Sequence, residues 1–260
     1  MKYIAVFDSG LGGIAVLKCL NKLLPNEGII FFGDNKRMPY GIKNKKTIKK
    51  YAKENINFLN DFNLKAIGIA CNTMDSNSHD LIVKNAKTQV YGVIDVSSKK
   101  AIKITKNKRI GILATPTTVS SHAYKNVINN LDKDVKVFEL ASPDLASLIE
   151  KNVNEDIIEK EIIKYLKIFD KKNIDTLVLA CTHYHFCLDL IKKLRPNLKI
   201  ISSSYELAYN ISKNIKENNK KINNQYYVTH YYHEYEEIIK KLLKKKENIK
   251  IKEIDLKDYQ

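Results

Sequence analysis

Leu64-Lys65-Ala66-Ile67-Gly68-Ile69-Ala70-Cys71-Asn72-Thr73 and Ile174-Asp175-Thr176-Leu177-Val178-Leu179-Ala180-Cys181-Thr182-His183 are two stretches of one design. Each is a short apolar run that closes on a cysteine and opens a small polar tripeptide. Apolar runs of this length read as buried strands, so both cysteines stand where a strand hands over to the next element. Two thiols mounted alike point to one-proton chemistry carried out from two sides of a substrate.

Outward from these runs, short apolar segments alternate with longer amphipathic ones. Strands are expected over Tyr3–Phe7, Ile29–Phe32, Ala66–Ala70, Val90–Ile94, Arg109–Ala114, Val135–Leu140, Thr176–Ala180, Lys199–Ile201 and Gln225–Val228. Helices are expected over Gly13–Leu24, Lys45–Phe62, Ser76–Asn85, Ser97–Ile104, Ser120–Leu131, Glu155–Phe169, Phe186–Leu194, Tyr205–Lys216 and Tyr235–Lys246. Alternation of this kind argues for α/β architecture with mostly parallel sheets. The order of features also repeats: a strand ending at Asp8-Ser9-Gly10 precedes the Cys71 strand, and one ending at Ala114-Thr115-Pro116-Thr117-Thr118 precedes the Cys181 strand. Two related sheets facing each other would bring their carboxyl ends, where open α/β sheets bind ligands, to one cleft.

The chain has 260 residues, 44% hydrophobic and 28% charged, enough for two domains with real cores. No apolar run approaches the roughly 18 residues of a membrane span. The start, Met1-Lys2-Tyr3-Ile4-Ala5-Val6-Phe7-Asp8, has too short an apolar stretch for a secretory signal. A cytoplasmic protein is expected, with Cys19, Cys71, Cys181 and Cys187 as reduced thiols. The balance of 45 Lys plus Arg against 29 Asp plus Glu gives +16, which raises a nucleic-acid reading. Yet the arginines are only Arg37, Arg109 and Arg195, and the lysines spread along helical stretches such as Lys43 to Lys53 and Lys240 to Lys246. Solvated helix faces account for that pattern better than a nucleic-acid partner does.

Asp8-Ser9-Gly10-Leu11-Gly12-Gly13 leads from a strand into a helix and offers backbone N–H groups to an anion. It lacks the Lys-Ser/Thr ending of a nucleotide P-loop. Pro39-Tyr40-Gly41, following Gly33-Asp34, reads either as a plain turn or as a loop that holds Tyr40 to donate to a substrate carboxylate. Cys181-x-His183-x-His185-x-Cys187 contains zinc-type ligands, but the i, i+2 spacing departs from the usual Cys-x2–4-Cys knuckle, so no metal is expected. His79, His122, His230 and His233 read as surface residues.

Together these residues resemble the cofactor-independent glutamate racemases, within the wider aspartate/glutamate racemase superfamily. The resemblance runs nearly end to end: Phe7 to Gly13, Gly33-Asp34 with Pro39-Tyr40-Gly41, Ala70-Cys71-Asn72-Thr73, Leu113-Ala114-Thr115 with Thr118, Glu150, Ala180-Cys181-Thr182-His183-Tyr184, and Tyr226-Tyr227-Val228-Thr229. It implies two similar doubly wound domains related by a pseudo-two-fold axis, residues 1–95 plus 209–260 and residues 96–208, with the active site between them. It also implies catalysis by Cys71 and Cys181 without a cofactor. Asp8 would assist at Cys71, His183 at Cys181, and Glu150 would support the second cysteine. Ser9, Tyr40, Gly41, Asn72, Thr73, Thr115, Thr118 and Thr182 would hold the carboxylates and ammonium of an amino-acid substrate. The product implied is D-glutamate for peptidoglycan, and the assembly a homodimer.

The chemistry agrees. The α-hydrogen of an amino acid is a very weak acid, and without a pyridoxal or metal electron sink its removal needs a placed base and stabilisation of the carbanion. Inversion needs an acid on the opposite face. Free thiols titrate near 8.5, so the working thiolate must be favoured locally or formed as substrate binds. Three positions depart from the family pattern: Met74-Asp75-Ser76 after Thr73, Asp95-Val96, and His185-Phe186 after Tyr184. They put bulk and charge near the expected side-chain pocket and leave aspartate, or another amino acid, as an alternative substrate.

Overall fold

The computed structural model describes residues 2–243 and 249–260. The chain opens with β1 (Tyr3–Asp8), α1 (Ile14–Leu23), β2 (Ile29–Gly33), α2 (Lys45–Leu59), β3 (Leu64–Ile69), α3 (Asn72–Asn85) and β4 (Gln89–Gly92). α4 (Val93–Ile104) leads to β5 (Arg109–Ala114), followed by α5 (Pro116–Ser121), α6 (Ala123–Leu131), β6 (Lys136–Ala141), α7 (Leu145–Glu150), α8 (Glu155–Lys171), β7 (Thr176–Ala180), α9 (Leu188–Leu194) and β8 (Lys199–Ser202). α10 (Ser203–Asn214) then returns the chain to β9 (Gln225–Val228), α11 (His233–Leu243) and β10 (Ile251–Glu253).

These strands form two sheets, ordered β10-β9-β2-β1-β3-β4 and β6-β5-β7-β8, and every pairing among the described strands is parallel. The segment β2-β1-β3-β4 repeats the winding of β6-β5-β7-β8, so β3 and β7 occupy equivalent places. Both faces of each sheet are covered, which is why the strands read as continuous apolar runs.

Side-chain alternation divides the core. Ile4 and Val6 of β1 join Val178 and Ala180 of β7 in a shared middle layer with α1, α4, α6 and α10, while Ala5, Phe7, Ile67 and Ile69 pack outward against α2 and α3. Leu177 and Leu179 pack outward against α8, whose Ile162, Tyr165, Leu166 and Phe169 follow the i, i+3, i+4, i+7 spacing of one helix face. Each such fully buried side chain stabilises the fold by roughly 1.5–3 kcal/mol. Cys71 continues the Ile67, Ile69 register and Cys181 the Leu177, Leu179 register. The two thiols therefore leave equivalent strands on equivalent faces.

Several boundaries differ from the expectation. α3 begins at Asn72, directly after Cys71, not at Ser76. The strand expected through Ile94 stops at Gly92, because the buried Asp75 accepts from the Ile94 amide at 2.9 Å and starts α4 at Val93. The helix expected over Ser120–Leu131 breaks at His122, which adopts φ 52°. A 3-10 turn over Thr182–Cys187 precedes α9, where a helix from Phe186 was expected. α7 and the three-residue β10 were not anticipated. The helix expected over Tyr235–Lys246 is observed from His233 to Leu243, and its remainder, with the last three residues of the Lys240 to Lys246 run, lies outside the described residues.

Asp75 carries a prediction. Its carboxylate holds both the Ile94 amide and His79, the latter at 2.7 Å, inside the fold. Replacing it by alanine leaves a buried helix-start amide unsatisfied, and urea denaturation of Asp75→Ala is expected to show a loss of about 1–3 kcal/mol.

Candidate active site

Cys71 and Cys181 both open on one narrow cavity at the carboxyl ends of the two sheets, about 40 Å³ in volume, space for the centres of a few water-sized groups. Ser9, Tyr40, Gly41, Asn72, Thr73, Thr115, Thr182 and His183 also line it. Among residues not singled out from the sequence, Met38, Ile42, Pro143, Ala146 and Ser147 also line it. The last three belong to or precede α7, a helix of six residues too short to leave a periodic signature.

Around Cys71 the local structure favours a protonated thiol. Cys71 is the residue that caps α3, the Met74 amide faces its sulfur, and Ser9 Oγ lies 3.8 Å away. Burial nevertheless drives its titration well above the ordinary thiol value, and the nearby Asp8 charge adds to the rise. Asp8 is itself buried, and its carboxyl is raised by that burial against the lowering pull of His183. Its Oδ2 accepts from the Gly13 amide at 2.7 Å and from Thr182 Oγ1 at 3.1 Å. Asp8 thus acts on Cys71 through its field while its hydrogen bonds reach across to the Cys181 side. Gly12 makes this approach possible: a Cβ there would stand 2.1 Å from Thr182 Oγ1.

The second thiol has a different escort. Cys181 Sγ lies 3.8 Å from His183 Nδ1, and His183 Nε2 forms a short hydrogen bond with Glu150 Oε2. Burial alone would lower the imidazole's affinity for a proton, but the Glu150 carboxylate and the Cys181 sulfur more than offset it and hold His183 well above 6.5. An imidazole so placed is within reach to exchange a proton with the sulfur. Glu150 Oε1 also receives the Leu11 amide at 3.5 Å, tying the first turn of the Asp8 loop to α7.

This pair has a signed pH dependence. Because the native value is raised, its contribution to stability is complete just below pH 6.5, the free imidazole value, and is lost as pH rises through the native value. The difference in unfolding midpoint between the wild type and His183→Asn should therefore shrink as pH is raised from 6.5, and a constant difference would contradict the pairing.

Thr73, Thr115 and Thr118 form a triangle of hydroxyls, with Oγ1 to Oγ1 distances of 2.9, 3.3 and 3.0 Å. Thr73 comes from the first half and the other two from the second, so the triangle spans the cleft. Three rotatable hydroxyls suit a carboxylate that arrives without an arginine partner. Gly41 packs against them so closely that a Cβ would lie 2.6 Å from Thr115 Cβ.

Two expected roles change. The Tyr40 hydroxyl is engaged within the protein: it donates to Asp34 through a short hydrogen bond and accepts from Asn55 at 3.3 Å. The Asn72 side chain is likewise occupied, donating to Ser203 Oγ at 3.1 Å and accepting from Tyr124 at 2.6 Å. Both residues shape the cavity wall. Tyr124 was invisible to sequence reasoning because it lies 52 residues from its partner with no motif around it.

The departures noted above do not line the cavity. Met74 is fully buried in the outer core beside α2, Asp75 caps α4, and Asp95 is exposed and paired with Lys99 at 2.7 Å. His185 turns to Ser202 Oγ at 2.6 Å, away from Cys181. Among the described residues no three His, Cys, Asp or Glu side chains gather as a metal site. His79 and His122 are held by Asp75 and Glu139, each at 2.7 Å. No helix of the described residues is long and apolar enough to cross a membrane.

Residues 4–203 match the family model described as Asp/Glu/Hydantoin racemase. The chain belongs to this family. Among relatives of this racemase family, glutamate racemase 3 of Caldanaerobacter subterraneus subsp. tengcongensis is 39% identical over 220 residues, covering 83% of this chain and 80% of the relative. The solved structure of a glutamate racemase isoform from Bacillus anthracis superposes with a TM-score of 0.92 at 34% identity, covering 98% of each chain. That of the Francisella tularensis glutamate racemase in complex with D-glutamate gives 0.90 at 33% identity, covering 99% of each. The Picrophilus torridus aspartate racemase, 20% identical with a TM-score of 0.63 over 82% of this chain and 94% of its own, shares the fold alone.

Proposed function

We propose that the chain is a cofactor-independent glutamate racemase that interconverts L- and D-glutamate by a two-thiol mechanism. The observation that carries the proposal is the placement of Cys71 and Cys181 on equivalent strands, opening on one cavity. One sulfur, as thiolate, takes the α-proton from one face, and the other, as thiol, delivers a proton to the opposite face; reversal exchanges the roles. Asp8 favours proton movement at Cys71, and His183 with Glu150 at Cys181. Ser9, Thr182 and the backbone of Gly41, Asn72 and Thr73 hold the α-carboxylate and ammonium, and the threonine triangle holds the side-chain carboxylate. Fixed donors of this kind stabilise the enolate-like charge without the reorganisation that water would require.

Glutamate is favoured over aspartate by the names of the relatives at 33–39% identity and by the position of Met74, Asp75, Asp95 and His185 outside the cavity lining. A role in supplying D-glutamate for peptidoglycan, a cytoplasmic location, a homodimeric assembly and the division into residues 1–95 with 209–260 and residues 96–208 belong to the same proposal. Incubation of the purified protein with L-glutamate in deuterated water tests it. Loss of optical rotation with deuterium at the α-carbon is expected, and absence of exchange on either enantiomer would sink the reading. Faster turnover of aspartate in a parallel assay would instead move the substrate.

A further inference from the structure

Residues Met38 to Ile42 form one wall of the cavity, and behind that wall lies a cluster of buried charge. Arg37 reaches Asp34 Oδ2 with both Nε and Nη2 at 2.6 Å, bonds Glu54 through Nη1, and donates from Nη2 to Asn55 Oδ1 at 3.0 Å. Its guanidinium carbon sits 3.9 Å from the centre of the Tyr51 ring. Asp34 and Glu54 are 0% and 2% exposed, so two carboxylates are buried around the Arg37 guanidinium; the exposed Lys50 also reaches Glu54, at 3.9 Å, but loss of Arg37 would leave the buried Asp34 charge uncompensated. The Asp34 carboxylate also receives the Tyr40 hydroxyl and, at 2.9 Å, Thr229 Oγ1. Asn55 closes the circuit by donating to the same Tyr40 hydroxyl at 3.3 Å.

We infer that Arg37 is a positioning residue for the substrate site: its planar fork clamps Asp34 to α2, and Asp34 and Asn55 in turn fix Tyr40 and hold the Gly41 backbone against Thr115. The inference rests on the racemase reading above and adds to it a residue that touches neither the thiols nor the cavity. A lysine keeps the charge but cannot reproduce a fork that serves Asp34, Glu54 and Asn55 at once. Because the clamp sets a wall that holds substrate and transition state alike, its loss raises KM and spares kcat.

The test compares full-length wild type, Arg37→Lys, Tyr40→Phe and, as a control, Arg195→Lys, whose partner Asp170 lies at the surface. Kinetics with L-glutamate are measured together with amide hydrogen exchange of the peptide containing Tyr40, Gly41 and Ile42. Arg37→Lys is expected to raise KM about tenfold with kcat within about twofold and to speed exchange of that peptide. Tyr40→Phe should shift both in the same direction by less, and Arg195→Lys should shift neither. A folded Arg37→Lys with wild-type KM and exchange overturns the inference, as does a fall in kcat at constant KM. If Arg37→Lys fails to fold, Tyr40→Phe carries the comparison. If the wild type does not turn over glutamate, the racemase reading fails, and the exchange data still decide whether Arg37 holds the wall.

Discussion

Serine in place of either Cys71 or Cys181 is expected to lower racemisation by about 10³–10⁴-fold. A serine hydroxyl is a far weaker acid than a thiol, so it neither ionises to take the α-proton nor returns one readily, and one face of the substrate loses its carrier. The enantiomers have an equilibrium constant of one, so kcat/KM must fall equally in both directions, and the ratio alone cannot reveal which face was disabled. A β-halogenated analogue does reveal it, since elimination of halide needs one base. Cys71→Ser and Cys181→Ser should release halide from opposite enantiomers. Full racemisation by either variant, or the same enantiomer preference in both, would contradict opposed sulfur atoms.

Loss of the relay behind the second thiol is the next largest effect expected. His183→Asn removes the proton partner 3.8 Å from Cys181 Sγ, and Glu150→Gln keeps the hydrogen-bonding shape while removing the charge that raises the imidazole. A fall in kcat of about 10²-fold is expected for His183→Asn, with a smaller fall for Glu150→Gln. The side affected is read from primary deuterium isotope effects: proton transfer at Cys181 becomes more rate-limiting, so the effect should grow for the enantiomer whose α-proton Cys181 accepts. Equal growth for both enantiomers would place His183 outside the Cys181 step.

The alternation of strands and helices was legible because it is a local pattern, and so was the equivalence of the two cysteine runs, which the sheet orders repeat. What escaped was set by contacts distant in sequence. The start of α3 at Asn72 follows from the close of β3, not from any apolar period after Cys71. Asp75 looked like a carboxylate near the cleft because only the fold brings the first turn of α4 to it. The bonds of Tyr40 to Asp34 and Asn55 were not legible either, since these become its neighbours only when β2 and α2 pack. Glu150 was named from resemblance alone. Its service to His183 depends on α7, whose six residues show no helical period.

The chain passes from the first sheet to the second through α4 and comes back through α10, and these neighbouring crossings lie in the shared middle layer. The two sheets are thus joined by two covalent crossings that pack side by side. The same two sheets are tied by side chains as well, Asp8 to Thr182 and Thr73 to Thr115. Any displacement of one sheet's carboxyl end against the other would therefore break the very contacts that bring the two thiols to one cavity.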